Sequence, residues 1–142
     1  MRIVMSTQVA PHTSPLGEAS GCVVARVLLV DDDKYFRLLA RKLIEPDGFD
    51  VSEAADVRQC LALLKSQPID AVILDMVMPG RNGVDAVPEL KLQFPSIKII
   101  TVSGVEESDV FLTVSSYMGA DASLNKSNIG SLSALLRVVL DR

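Results

Sequence analysis

The chain has 142 residues, of which 49% are apolar, with 14 basic against 18 acidic side chains and a net charge of −4. That length suits one compact domain with a sizeable core and does not suit two. The acidic balance and the absence of Trp exclude a basic nucleic-acid footprint and a base-stacking platform.

No apolar run approaches the roughly 20 residues of a membrane-crossing helix. Met1 to Met5 meet Ser6, Thr7 and Gln8 at once, without the continuous apolar stretch of a signal peptide. Pro11, His12, Thr13, Ser14, Pro15 and Gly17 read as a flexible leader, so the expected division is a leader at 1–24 and a domain at 25–142. His12 is the only histidine, which disfavours His-based triads and His-rich zinc sites. Cys22 and Cys60 form no disulfide framework, and Cys60 among Val57, Leu61 and Leu64 reads as a core thiol. A cytoplasmic setting is expected.

The first element, Arg26 to Val30, reads as a buried strand running straight into Asp31, Asp32 and Asp33. Three adjacent acids do not belong in a core, since an unpaired buried charge costs several kcal/mol, as an order of magnitude. At a strand's C-terminal tip they suit a hard cation, Mg²⁺ or Mn²⁺. They equally suit a solvated loop with a helix N-cap. Asp33 can cap a helix striped by Phe36, Leu39, Ala40 and Leu43, which Pro46-Asp47-Gly48 ends. Phe49 to Glu53 is a second strand. Asp56 can cap a helix striped by Val57, Cys60, Leu61 and Leu64, with Pro68 breaking the chain.

Ala71 to Leu74 forms the third strand and meets Asp75. The turn signals Pro79-Gly80 and Asn82-Gly83 follow. A helix carries Val87, Leu90 and Phe94, bent by Pro88 and ended by Pro95. Lys98 to Val102 is the fourth strand, meeting Ser103-Gly104. Asp109 to Met118 is helical, Ser123 to Asn125 is a short fifth strand, and Leu132, Leu135, Leu136 and Val139 stripe a last helix. Strict alternation of five apolar strands with five helices argues for an α/β fold whose parallel sheet is covered on both faces. Neither G-x-G-x-x-G nor G-x-x-x-x-G-K-[ST] is present, so dinucleotide and P-loop readings lose support.

Ligands of such sheets bind outside the strands' carboxyl ends. There Asp31, Asp32 and Asp75 offer carboxylates, Ser103 a hydroxyl and Lys126 a mobile point charge suited to a phosphoryl group. Each has a plainer reading: Asp75 as a turn former, Ser103-Gly104 as a loop, Lys126 as a solvated lysine. Their conjunction at strand tips favours a shared site.

Val-Asp31-Asp32, Asp75-Met-Val-Met78-Pro79-Gly80-x-Asn-Gly83, Thr-Val-Ser103-Gly and Gly119-Ala120-Asp-Ala-Ser-Leu-Asn-Lys126 together resemble a response-regulator receiver domain of two-component signalling. The resemblance covers 25–142. It implies a flavodoxin-like doubly wound sheet in the order 2-1-3-4-5. It implies Asp75 as phosphoacceptor, with Asp31, Asp32, Asp75 and the Val77 carbonyl holding Mg²⁺ or Mn²⁺. It also implies that Ser103, the Gly104 amide and Lys126 contact the phosphoryl oxygens. A histidine kinase or histidine phosphotransfer protein is the implied donor. The implied output is a change at helix four, strand five and helix five, read by a protein partner or by self-association, with no direct nucleic-acid binding and no membrane insertion. Such a domain is not an enzyme beyond weak self-phosphorylation and self-dephosphorylation.

Two positions depart from that family's usual pattern. Ser123 stands where an aromatic is usual, and Ser127 stands where a proline is usual after the lysine. The hollow left by the aromatic is open to approach from Tyr117 and Phe111 on the neighbouring helix, and the signal is expected to pass mainly through Ser103 and helix four. Two rivals remain. A haloacid-dehalogenase-type phosphatase is imitated by Asp31 to Asp33 and Ser103 but lacks its downstream acid pair after Lys126. A receiver-like docking module that is never phosphorylated is kept open by Ser123 and Ser127. The chain ends soon after its last helix, as expected of a stand-alone receiver or of a piece of a longer protein.

Overall fold

A computed structural model describes residues 23–78, 83–104 and 108–142. The proposed leader up to Cys22 and the Pro79-Gly80 and Asn82 turn signals lie outside the described residues. The strands are β1 (Ala25–Val30), β2 (Phe49–Ala54), β3 (Ala71–Asp75), β4 (Lys98–Ser103) and β5 (Ala122–Asn125). The helices are α1 (Lys34–Ile44), α2 (Val57–Ser66), α3 (Gly83–Gln93), α4 (Ser108–Tyr117) and α5 (Leu132–Leu140). The five strands form one sheet in the order β2-β1-β3-β4-β5, and every neighbouring pair is parallel. No helix among the described residues is long and apolar enough to cross a membrane.

The period of two along β1 splits the core. Val27 and Leu29 face Ala40, Ile44, Leu132, Leu136 and Val139, the buried sides of α1 and α5. Leu28 and Val30 face Val57, Cys60, Leu64, Val87 and Leu90, the buried sides of α2 and α3. Burial on both faces removes the polar alternation a half-exposed strand would show, so β1 is wholly apolar from Val27 to Val30 and β3 from Ala71 to Leu74.

The helix starts behave as their sequences predict. Asp33 and Asp56 cap α1 and α2, their carboxylates accepting amide hydrogen bonds from Tyr35 and Gln59. The α1 stripe differs from expectation. Phe36, Ala40 and Ile44 face the sheet, while Leu39 is 46% exposed and Leu43 37% exposed. An i, i+4, i+8 row suffices for a helix that touches the sheet along a narrow line. At Glu45–Asp47 the helix tightens into a 3-10 turn, and Gly48 (φ +99°) reverses the chain into β2. Pro88 lies inside α3, which ends at Gln93, just before Phe94 and Pro95. Cys60 is fully buried, and burial pushes its thiol up to about 12, as expected of a core thiol.

Candidate functional site

The parallel order brings the C-terminal tips of β1, β3, β4 and β5 side by side. Asp31 follows the last residue of β1, and its amide donates to the Ala54 carbonyl of β2 at 3.1 Å. Asp31 Oδ1 accepts the Asp33 amide at 2.9 Å, and Oδ2 lies 2.7 Å from Lys126 Nζ. Asp75 closes β3, and its Oδ1 accepts the Val77 amide at 3.2 Å. Its Oδ2 lies 3.5 Å from the same Lys126 ammonium. Ser103 closes β4, is fully buried, and its hydroxyl oxygen meets no protein hydrogen-bond partner among the described residues. Gly104 follows it, half-buried.

Lys126 opens a short 3-10 turn (Lys126–Ser131) after β5, and Asn125 Oδ1 caps that turn by accepting the Ser127 amide at 2.9 Å. Asn125 is paired with Ser103 across β4 and β5, which fixes the root of the Lys126 side chain beside the tip of β4.

The electrostatics follow from two buried acids sharing one cation. Burial and the neighbouring Asp31 push Asp75 up from its ordinary 3.8 to about 6, against the pull of the Val77 amide and Lys126. For Lys126, burial works against the charged form. The hydrogen bond to Asp31 and the charges of Asp75 and Asp31 outweigh it and hold the ammonium above its ordinary range.

Asp31, Asp32 and Asp75 can each offer a carboxylate oxygen, all within 4.8 Å of one another. Asp31 and Asp75 are buried, and Asp32 is exposed on the solvent side. An all-oxygen, trianionic donor set with one face open suits a hard divalent cation that retains water. Val77 adjoins the cluster through its amide. Asp33 is not part of the cluster. Its carboxylate is spent on the Tyr35 amide as the α1 cap, which removes the second acid that a dehalogenase-type reading needs.

The structure adds residues that sequence patterning assigned only to the core or to no role. The Lys126 ammonium sits 4.4 Å from the centroid of Phe36, a side chain read from its spacing as core stripe. Arg37 Nη1 donates to the Asp31 carbonyl, and its Nε donates to Glu53 at 2.7 Å. Arg41 grips the other Glu53 oxygen at 2.9 Å. A DDD segment followed four residues on by Arg, with an acid in the next strand, was the available signal.

The place beside Ser123 is filled from an unexpected side. Tyr117 points away and is 87% exposed, and the Phe111 side chain lies outside the described residues. Instead Ser123 Oγ lies 3.0 Å from Thr101 Oγ1 and 2.9 Å from Ser115 Oγ, and those two lie 2.8 Å apart. Thr101 and Ser115 are fully buried. The signal was Thr101 itself, a lone hydroxyl inside Ile99-Ile100-Thr101-Val102.

Known proteins share this arrangement. The model of the response regulator receiver domain matches residues 27–137. Transcriptional regulatory protein CpxR of Klebsiella pneumoniae is 36% identical over 118 residues, which span 82% of this chain and 50% of that protein. Chemotaxis protein CheY of Thermotoga maritima is 36% identical over 81 residues, 56% of this chain and 68% of that one. Among solved structures, a receiver domain protein from Clostridium thermocellum superposes with a TM-score of 0.76 at 28% identity, covering 84% of this chain and 96% of that one. The chain therefore spans about half the length of curated relatives such as CpxR. The sheet order, the acids at the tips of β1 and β3, and the matched span together place the chain in the response-regulator receiver family, as a phosphoacceptor signalling domain.

Proposed function

We propose that Asp75 is the phosphoacceptor. In this reading a carboxylate oxygen of Asp75 attacks phosphorus, a P–O bond forms, and the bond to the donor's leaving group breaks, the leaving group keeping that electron pair. The donor is a phosphohistidine of a histidine kinase or phosphotransfer protein, or a small acyl phosphate. Such transfer depends on in-line positioning and on neutralising charge spread over the phosphoryl oxygens. Lys126 supplies a mobile cation within reach of Asp75. Ser103 supplies a buried hydroxyl, and the Gly104 amide a second donor. Asp31, Asp32, Asp75 and the Val77 carbonyl would hold Mg²⁺ or Mn²⁺, which would supply positive charge at the phosphoryl oxygens and favour the ionised nucleophile.

The observation that carries the reading is Ser103. A buried hydroxyl without a hydrogen-bond partner among the described residues is costly to keep, and here it stands at the tip next to Asp75, where an incoming phosphoryl oxygen would complete it. The phosphorylated form would change the surface of α4, β5 and α5, read by a protein partner or by self-association. The setting proposed is cytoplasmic, without nucleic-acid contact by this domain. Its own chemistry would be limited to slow self-phosphorylation and self-dephosphorylation.

The test is incubation with acetyl phosphate and Mg²⁺, read by intact mass. One added phosphate is expected on the parent and none on Asp75→Ala. Undiminished labelling of the variant would sink the assignment and leave a docking module as the better reading.

A further inference from the structure

The hydroxyls of Thr101, Ser115 and Ser123 close a triangle with edges of 2.8, 2.9 and 3.0 Å. Its corners come from three elements: Thr101 from β4, Ser123 from β5 and Ser115 from α4. Thr101 and Ser123 are register partners across the two strands. Thr101 lies two residues before Ser103, and both are fully buried. Residues two apart on a strand share a face, so the triangle stands one pleat below the Ser103 hydroxyl, on the same face of β4.

We propose that this triangle is the pivot of α4: it pins the helix's C-terminal half to β4 and β5, so that a pull on Ser103 moves the N-terminal half about Ser115. The inference rests on Asp75 being the phosphoacceptor and names how that site would be coupled to the α4 surface. Three lines of geometry support it. First, Ser115 lies near the C-terminal end of α4, and the Ser115 carbonyl also accepts the Ala120 and Met118 amides, at 3.0 and 3.2 Å. This end of the helix is tied both to the strands and to the chain leading into β5. Second, a hydroxyl both donates and accepts, so the triangle can exchange donors by rotating protons, without moving its oxygens. It tolerates small rotations of a helix that rigid apolar packing would resist. Third, the residue at 123 is too small to swing in response to a vacated space at Ser103. Coupling then has to travel through the strand and helix that the triangle joins.

Amide hydrogen exchange tests this on the whole chain, with and without acetyl phosphate and Mg²⁺, labelling being followed by mass in the same samples. In the parent, phosphorylation should alter exchange at 108–112 and leave 113–117 protected. In Ser115→Ala, and in Thr101→Val as a second variant, residues 113–117 should exchange roughly tenfold faster before any phosphorylation, the effect of losing a buried hydrogen bond that closes a local opening. Phosphorylation should then alter exchange along the whole helix. Ser115→Thr, which keeps the hydroxyl, should restore protection. Equal exchange at 113–117 in parent and both variants would overturn the pivot, as would phosphorylation effects in the parent largest at 113–117. Faster exchange spread evenly over the whole sheet would also count against it. Failure to label Asp75 would defeat the functional reading and, with it, the pull on Ser103, whereas the resting-state comparison needs no phosphate and decides separately whether the triangle pins the C-terminal half of α4.

Discussion

Phe36 and Lys126 form a cation–π pair, with the ammonium 4.4 Å from the ring centroid. The ring comes from the first turn of α1 and the lysine from the start of the 3-10 turn after β5, so the contact ties two elements that flank the acid cluster. It holds the ammonium on an apolar surface that does not compete for its charge, leaving Asp31 at 2.7 Å and Asp75 at 3.5 Å as the charged partners.

Phe36→Leu keeps apolar bulk and removes the ring's negative face. A partly desolvated cation–π contact contributes about 0.5–2 kcal/mol. Labelling of Asp75 by acetyl phosphate should slow by roughly twofold to thirtyfold, the rate equivalent of that energy. Phe36→Trp should restore the rate. Equal slowing in the Leu and Trp variants would mean that the ring only fills space.

Asp75 gives a pH dependence with a definite sign. Its carboxyl titrates at about 6 in the folded chain against an ordinary 3.8. The folded state therefore holds that proton more tightly than the unfolded chain, and this group's contribution to stability falls as pH rises from about 4 to about 6. Asp75→Asn removes the buried charge and keeps an oxygen for the Val77 amide. In metal-free buffer at pH 8 it should be more stable than the parent by an amount on the order of 1–3 kcal/mol. The advantage should shrink toward pH 4. Urea denaturation at the two pH values checks this, and a gain that is the same at both would place its origin elsewhere.

Mg²⁺ should reverse that slope. A cation held by Asp31, Asp32 and Asp75 competes with the Asp75 proton, so affinity should fall roughly tenfold per pH unit below about 6. At a free concentration 100 times its dissociation constant, Mg²⁺ should stabilise the fold by about 2.7 kcal/mol. Asp32 is exposed and makes no hydrogen bond or ion pair among the described residues, so Asp32→Asn should lose most of that increment and keep the metal-free melting temperature. A parent whose melting temperature ignores Mg²⁺ at pH 7.5 would rule out the site.

The strands, their parallel arrangement and the acids at their tips were legible in the sequence because burial on both faces leaves apolar runs that stop abruptly at polar tips; the order in which the strands lie came from the family resemblance alone. The α1 stripe was only half legible. Leu39 and Leu43 fit the helical period, yet the helix meets the sheet through Phe36, Ala40 and Ile44, and a period does not say how wide the contact is. The Arg37 grip on the Asp31 carbonyl is local, six residues apart, and left only the faint signal of an Arg after the acid run, while the Thr101–Ser115–Ser123 triangle was not legible because its corners come from three elements joined by tertiary packing. Ser123 and Ser127 were visible as departures from a family pattern. What stands in for the aromatic and the proline depends on Ser115, Thr101 and Asn125, which lie on other parts of the fold or of the turn.

Ser127 shows what such a departure can contribute. Its amide donates to Asn125 Oδ1 at 2.9 Å and so caps the turn that carries Lys126. A proline at 127 has no N–H and could not make this bond. Asn125→Ala should therefore cost about 1 kcal/mol, the usual loss for an N-cap, and should loosen the backbone at Lys126 enough to slow Asp75 labelling. Ser127→Pro should lose the same bond. Its fixed φ near −65° would offset part of the loss if the native backbone at 127 already lies there. The two changes remove one interaction, so their effects should not add: in the Ser127→Pro background, Asn125→Ala should cost close to nothing further. Denaturation of the two single variants and the double variant closes that cycle. Full additivity would show that Asn125 and Ser127 act separately and that the cap does not hold Lys126.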